Sequence, residues 1–426
     1  MSEPEPGPVD EDDQAPSGPG VRGRLALATG AAVGTIYGVQ GLAPAIPGIQ
    51  AHLGLGDSAP GLLAAAYMLP AVLFALPFGY LADTFGRRRV FVATALLWSL
   101  AGLAQAWAGS LGMLLALRFL QGIGFGALMP LSITLIGDAV RGLAQTRAQA
   151  SRQVMMTLGE FALPLLGAAL AAIAWNAPLM AQAGLLPLAV GGAVLLDDRP
   201  HATTASLRGY TGELVAAVRM DGMPALLAAG FLRMWCKFAV TIYLPVVLVQ
   251  SRGATPLQAA SVISVSALVA AAASTRVVRL LRSGSASRLL IAAITVVGAG
   301  MVGLAVAPTW QVALAIGVFY GAGDGVLMVL QNTMVVEAAP GTVRAGLMAA
   351  NGTLRNAGKL LAPLTVGVLI LIMSPGLALV AAGVVAWLAL PWLRSLGRLD
   401  PLVAAAMAPA RAAPAATLTP IPERSA

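Results

Sequence analysis

The chain has 426 residues and a mass of 43.1 kDa, with 58% hydrophobic residues, only 10% charged residues and a mean hydropathy of +0.82. Soluble domains carry about 25% charged residues, so a water-soluble globule is excluded. A single cysteine, Cys236, likewise excludes a disulfide scaffold. Two histidines beside that cysteine supply too few ligands for a zinc or haem site, so no metal and no cofactor is expected. The net charge of +8 and the pI near 10.3 sit on residues between apolar runs. That pattern points to an anionic lipid surface and not to nucleic acid.

Residues 1–24 are acidic and rich in Pro and Gly, and read as a disordered tail with no signal peptide. Six apolar stretches follow, each long enough for a helix to cross ~30 Å of hydrocarbon. They are Leu25–Ile49, Ala59–Ala82, Val90–Ala108, Leu111–Gly137, Gln149–Ala174 and Pro178–Leu196. A polar stretch from Asp197 to Asp221 precedes six more: Met223–Val249, Ala259–Leu281, Leu289–Ala307, Trp310–Val336, Ala345–Met373 and Gly376–Leu393. The expected fold is an all-α integral membrane protein with twelve transmembrane helices in two pseudo-symmetric six-helix bundles. The bundles take residues 25–196 and 223–396, joined by a cytoplasmic linker at 197–222, with an Ala/Pro-rich tail at 397–426.

Loops that share one side carry Arg22, Arg24, Arg87 to Arg89, Arg141, Arg147, Arg282, Arg288 and Arg344, whereas the opposite loops carry only Arg252. Positively charged loops face the cytoplasm, which predicts a multi-pass protein of the inner (plasma) membrane with both termini cytoplasmic. The halves also repeat at a fixed offset of 199 residues. Gly122, Gly124, Gly126 and Met129 match Gly321, Gly323, Gly325 and Met328, and Asp138 matches Glu337. Further along, Gly159-Glu160 and Pro164 match Gly358-Lys359 and Pro363. Two parallel repeats with a site between them form a transporter architecture.

Between the second and third spans stands Gly79-Tyr-Leu-Ala-Asp83-Thr-Phe-Gly86-Arg87-Arg88-Arg89. This resembles the signature loop of the major facilitator superfamily. The resemblance implies that Gly79, Asp83, Gly86, Arg87 and Arg88 form a cytoplasmic gate. Arg118-Phe-Leu-Gln121-Gly122 is similar to a second motif of the family. Gly159-Glu-Phe-Ala-Leu-Pro164-Leu-Leu-Gly167 is similar to the antiporter motif of its exporters, with Leu163 and Ala168 where glycines are expected. The turn Leu42-Ala-Pro44-Ala-Ile-Pro47 resembles the drug-efflux branch.

Ionisable residues deep inside the spans include Arg118, Glu160, Arg233, Lys237, Asp324, Arg355 and Lys359, which together carry a net charge of +3. Each costs about 2.5–3.5 kcal/mol at a helix centre, so each needs a partner or a wet cavity. Lys237 and Lys359 are the chain's only lysines, and each follows an arginine by four residues, on one helix face. Arg233 and Lys237 reach the cytoplasmic surface if their span begins near Gly230. The expected substrate-binding set is Lys359, Arg355, Lys237, Arg233, Gln40 and Asn351. Glu160, Asp324 and Arg118 are expected to couple protons, with an acid paired to Lys359 or Arg355. Tyr37, Tyr67, Trp235, Tyr243 and Tyr320 are candidates to line a cavity.

These features predict a monomeric, proton-coupled exporter of a small amphipathic or anionic compound, a drug or metabolite, working by alternating access. The alternative is an uptake symporter for an organic anion. No nucleophile–histidine set or phosphate loop points to an enzyme.

Overall fold

Inside a bilayer a backbone can satisfy its polar groups only in helices or closed barrels. The computed structural model describes residues 19–74, 85–196, 219–281, 285–338 and 344–401, and every regular element among them is helical. In the first half α1 spans Pro19–Gln40, α2 Ala59–Leu73, α3 Arg87–Ala104, α4 Leu111–Ala139 and α5 Gly142–Ile173. The sixth, α6, covers Ala177–Leu195 and includes one 3-10 stretch. In the second half α7 spans Met223–Val246, α8 Pro256–Ser274, α9 Ala286–Val306, α10 Trp310–Ala338, α11 Arg344–Ile370 and α12 Pro375–Leu388. Ten helical segments are long and apolar enough to cross a membrane. The shorter apolar α2, and α11 with its internal Arg355 and Lys359, complete the twelve.

The predicted second span runs beyond α2 into residues 75–84, which lie outside the described residues together with Gly79 and Asp83. Most of the polar stretch, 197–218, and residues 1–18 and 402–426 of the tails lie outside them as well, while Pro19–Arg24 of the expected N-terminal tail form the start of α1. The fifth span begins earlier than predicted, at Gly142, whose φ of 61° suits the residue that opens a new helix after a sharp turn. The first span breaks after Gln40 because Pro44 and Pro47 lack the N–H groups a continuous helix needs, and the chain resumes as Ile46–Leu53.

Two cores form separately. The largest buried cluster draws its members from residues 223–399, with Ala64 alone from the first half. Two others, built around Phe91 and Trp98 and around Ile49 and Leu114, belong wholly to the first half. Packing repeats along with the sequence. Gly122 of α4 lies against the Tyr67 backbone and Gly126 against Ala71, and 199 residues on Gly321 of α10 lies against Ser266 and Gly325 against Ala270. The small residues let α4 approach α2, and α10 approach α8, backbone to backbone. The offset read from α4 and α10 therefore extends to α2 and α8.

Consecutive helices alternate in direction, which puts Arg87 and Asp138 at one end of the molecule, joined by an ion pair. This is called the arginine-rich end. At the opposite, far end the two halves meet. Gln250 donates to Gln50 at 3.2 Å, and the Tyr243 hydroxyl of α7 donates to the Pro363 carbonyl of α11 at 3.1 Å beside Gly61 of α2. At the arginine-rich end Asp400 accepts from the Ser285 hydroxyl at 2.6 Å and from the Ser287 N–H at 2.9 Å. It thereby caps the start of α9, where a carboxylate complements the helix dipole.

Candidate functional site

Glu160 of α5 and Lys359 of α11 occupy equivalent positions of the repeat, and a proline follows each by four residues. Pro164 and Pro363 cannot donate to the carbonyls of Glu160 and Lys359, so each helix is loosened at its charged residue. Each charge also borders a cavity between the halves.

The cavity beside Glu160 is small, about 30 Å³, and lies between α1, α5, α7, α8 and α10. Its polar lining is Gln40, Glu160, Lys237, Thr241, Ser266, Tyr320 and Asp324. The Lys237 ammonium donates to Glu160 Oε2 at 2.8 Å and stands 4.0 Å from Asp324 Oδ2, so one cation serves a carboxylate from each half. Asp324 is also gripped by Arg233, with Nε 2.6 Å from Oδ1 and Nη2 3.0 Å from Oδ2. Nη2 alone donates to the carboxylate, while the Nε–H donates to the Asp324 backbone carbonyl at 3.4 Å, and the charge-assisted bond to Oδ2 holds the pair. Gln40, expected in the substrate-binding set with Lys359, reaches this cavity instead because α1 ends there, apart from Lys359. Its Oε1 and the Tyr320 hydroxyl are buried without a partner among the described residues, though the residues are only 6% and 5% exposed. An unmet buried polar atom costs about 1–3 kcal/mol.

The cavity beside Lys359 is larger, about 210 Å³, and lies between α2, α4 and α11. Met68, Phe125, Met129 and Asn356 line it along with Lys359. Lys359 Nζ lies 5.8 Å from the centre of the Phe238 ring, a cation–π distance. The two cavities are repeat partners: Met68, Phe125 and Lys359 of one stand 199 residues before or after Ala267, Asp324 and Glu160 of the other. The repeat thus carries an acidic chamber in one place and a cationic, apolar one in the other. From these shared positions the acidic chamber extends along Val240, Thr241 and Leu244 toward the far end. The cationic one extends along Met129 and Pro130 toward the arginine-rich end.

The remaining expected residues are dispersed. Arg118 is buried within the first bundle, donating to the Gly38 carbonyl at 2.8 Å and to Gln121 at 3.0 Å over the Tyr67 ring. It borders neither chamber, so the structure does not bring it together with Glu160 and Asp324. Asn351 is turned inward and accepts from Gln331 at 2.7 Å, tying α11 to α10. Arg355 donates to Asn332 at 3.3 Å. Arg233 begins ten residues into α7, about 15 Å from its start, and is 3% exposed, so it does not reach the surface. The pairings differ from expectation as well: the acids take Lys237 and Arg233, leaving Lys359 and Arg355 without a carboxylate among the described residues. Of the loop residues, Arg88 is exposed and Arg87 pairs with Asp138, while Gly86 opens α3 at a φ of 89°.

Sequence reasoning missed Arg152, which donates from α5 to the Ser132 hydroxyl at 3.0 Å although it falls inside the predicted fifth span. It also missed Phe125, Met129 and Asn356, ordinary membrane residues until the fold sets them around a lysine. Among the described residues no three His, Cys, Asp or Glu side chains cluster as a metal site would require.

A family model described as Major Facilitator Superfamily matches residues 28–363. The chain belongs to the major facilitator superfamily. Its fold is that of a family of transporters, not of an enzyme. The 4-hydroxybenzoate transporter PcaK of Pseudomonas aeruginosa is 32% identical over 190 residues, 43% of this chain and 41% of that protein. The bacillibactin exporter of Bacillus subtilis is 30% identical over 144 residues, 32% of this chain and 36% of that protein. The match therefore spans less than half the length of these curated relatives. Among solved structures, a bacterial homolog of the human lysosomal transporter Spinster superposes with a TM-score of 0.71 at 16% identity, covering 92% of this superfamily member and 97% of that chain. The D-xylose-proton symporter gives 0.67 at 18% identity over 88% and 96%. At these identities the likeness is one of fold.

Proposed function

We propose that the protein is a secondary active transporter of the plasma membrane that exports a small organic monoanion in exchange for protons. The observation that carries this reading is the pair of repeat-related chambers of opposite charge. Lys359 offers an ammonium with no competing carboxylate among the described residues, and Met68, Phe125 and Met129 offer an apolar bed for the rest of the ligand. At ~30 Å³ per water molecule, about 210 Å³ equals the share of roughly seven waters, room for a small organic ligand. A lone ammonium suits one negative charge better than two. The relative named for 4-hydroxybenzoate, itself a small carboxylate, supports the same class.

Glu160 is the proton carrier in this reading. Asp324 faces two cations, Arg233 and Lys237, whereas Glu160 is half-buried and held by Lys237 alone, so Glu160 is the carboxylate with a single ion pair to give up. Protonating it frees Lys237 to close fully on Asp324, which unties the half carrying α5 from the half carrying α7. The halves can then rock about the central site. Anion and proton occupy chambers that extend toward opposite ends, which favours exchange over co-transport. The arginine-rich end is cytoplasmic by its loop charge, and one chain holds both chambers, so a monomer suffices.

Purified protein in proteoliposomes with a pH-sensitive dye inside tests this, challenged with small organic acids, cationic drugs and neutral metabolites. Proton movement opposite to an added monoanion is the expected result. Proton and anion moving together would make it an uptake symporter, and responses confined to cations would remove Lys359 from the site. Glu160→Gln is expected to exchange labelled for unlabelled substrate normally while losing at least ~10-fold of its pH-driven flux, since a group that cannot ionise cannot cycle a proton.

A further inference from the structure

We propose that the small chamber beside Glu160 is a site for a single water molecule, held by the Tyr320 hydroxyl and the Gln40 side-chain carbonyl, which hands Glu160 its proton. The inference rests on the proton-coupled reading above and adds the ligand and the residues that hold it.

Three features fix the ligand. The chamber's volume of about 30 Å³ exceeds the ~10–15 Å³ that a buried water needs and is far below the 210 Å³ beside Lys359. A buried water needs two to four polar partners. Three stand ready here: Tyr320 Oη, Gln40 Oε1 and Asp324 Oδ1 border the chamber, lie more than nine-tenths buried, and find no hydrogen-bond partner among the described residues. Glu160 itself borders the same space and supplies a fourth. An alkali cation fits poorly, because the Lys237 ammonium already supplies positive charge to this lining and neutralises the carboxylates that would bind it.

The geometry also divides the labour. Tyr320 lies on α10 and Gln40 at the end of α1, so the water is held from both halves. It spans the same junction as the Glu160–Lys237 ion pair. When a proton arrives from the far end as hydronium, it passes to the Glu160 carboxylate. The water remains, and the ammonium of Lys237 moves toward Asp324. No electrons are exchanged, and the charge of the cluster rises by one. The charged groups facing Glu160 are Lys237 on α7, with Arg233 and Asp324 behind it, and Arg355 and Lys359 on α11. None of them is altered by changing Tyr320 or Gln40, so those two positions isolate the water from the ion pairs.

The test is Tyr320→Phe and Gln40→Leu, each reconstituted and measured in two ways. One assay reads accumulation driven by a pH gradient. The other reads exchange of labelled for unlabelled benzoate with no gradient. The expected result is a fall of about ten-fold or more in driven flux with exchange within two-fold of wild type. Equal losses in both assays would reveal a packing role and overturn the proposal, as would undiminished driven flux in both variants. A sodium gradient that drives the wild-type protein would place a cation in the chamber and also overturn it. Wild-type protein that exchanges benzoate but ignores a pH gradient would instead overturn the proton-coupled reading on which the proposal rests.

Discussion

Lys359→Ala is expected to weaken binding of an organic monoanion by about 10-fold to 100-fold and to abolish its transport at low concentration. A hydrogen bond to a charged group contributes about 1.5–3 kcal/mol, and Lys359 is the one charged group among the described residues that line its chamber. The variant should still fold. No carboxylate pairs with Lys359 among the described residues, so its removal strands no opposite charge. Asp324→Ala makes the contrast, because it would leave Arg233 and Lys237 buried without their shared partner. Breaking such a pair from one side costs about 3–5 kcal/mol, so that variant should lose thermal stability and yield. Substrate binding by tryptophan fluorescence and unfolding by circular dichroism check the two expectations. A Lys359→Ala protein that binds benzoate as tightly as wild type would remove the anion site from this chamber. Benzamide, which carries no charge, should bind the variant and the wild type alike.

Gly61→Leu is expected to shift the far end toward the open form and lower turnover. A Cβ at Gly61 would fall on the Tyr243 hydroxyl and the Pro363 carbonyl oxygen, the contact that closes α2 against α7 and α11. Forcing added methylenes into such packing costs about 1–3 kcal/mol, and more where the opposing atoms are backbone. Carrying a two-state equilibrium from 1:99 to 99:1 takes about 5.5 kcal/mol, so a leucine costing about 3 kcal/mol moves the far end part of the way toward the open form without unfolding either bundle. In a Cys236→Ala background, a cysteine at Thr241 lies on the far-end side of Lys237 and is buried in the closed form. It should react with an impermeant maleimide at least ten times faster when Gly61 is leucine. Equal labelling rates in the two backgrounds would show that Gly61 does not govern closure.

Hydropathy and loop arginines made the helices legible, since each span needs only length and apolar character. The repeat was legible too, because Gly122 and Gly321 do the same packing work in each half. The partners of the buried charges were not. Helical spacing sets the depth of Lys237 and Lys359 and the face they share with Arg233 and Arg355. It does not say which neighbouring helix will stand opposite. Pairing Glu160 with Lys237 depends on how α5 meets α7 across the two halves, and pairing Asp324 with Arg233 depends on how α10 meets α7. The same limit misled the reading of Arg118 and Asn351, whose polar groups are consumed inside their own bundles. Phe125 and Asn356 illustrate the converse. Nothing in their own sequence context distinguishes them, and their chamber exists only once separate helices are assembled.

The two lysines have a practical corollary for chemistry at the bench. Apart from the chain terminus, Lys237 and Lys359 are the only primary amines in the protein, and both stand in the space between the halves. An amine-directed reagent small enough to enter will therefore mark that space and little else. Protection of these two amines by a candidate ligand, read by mass spectrometry of the intact protein, becomes an assay for occupancy that needs no radiolabel and serves for a compound of any structure.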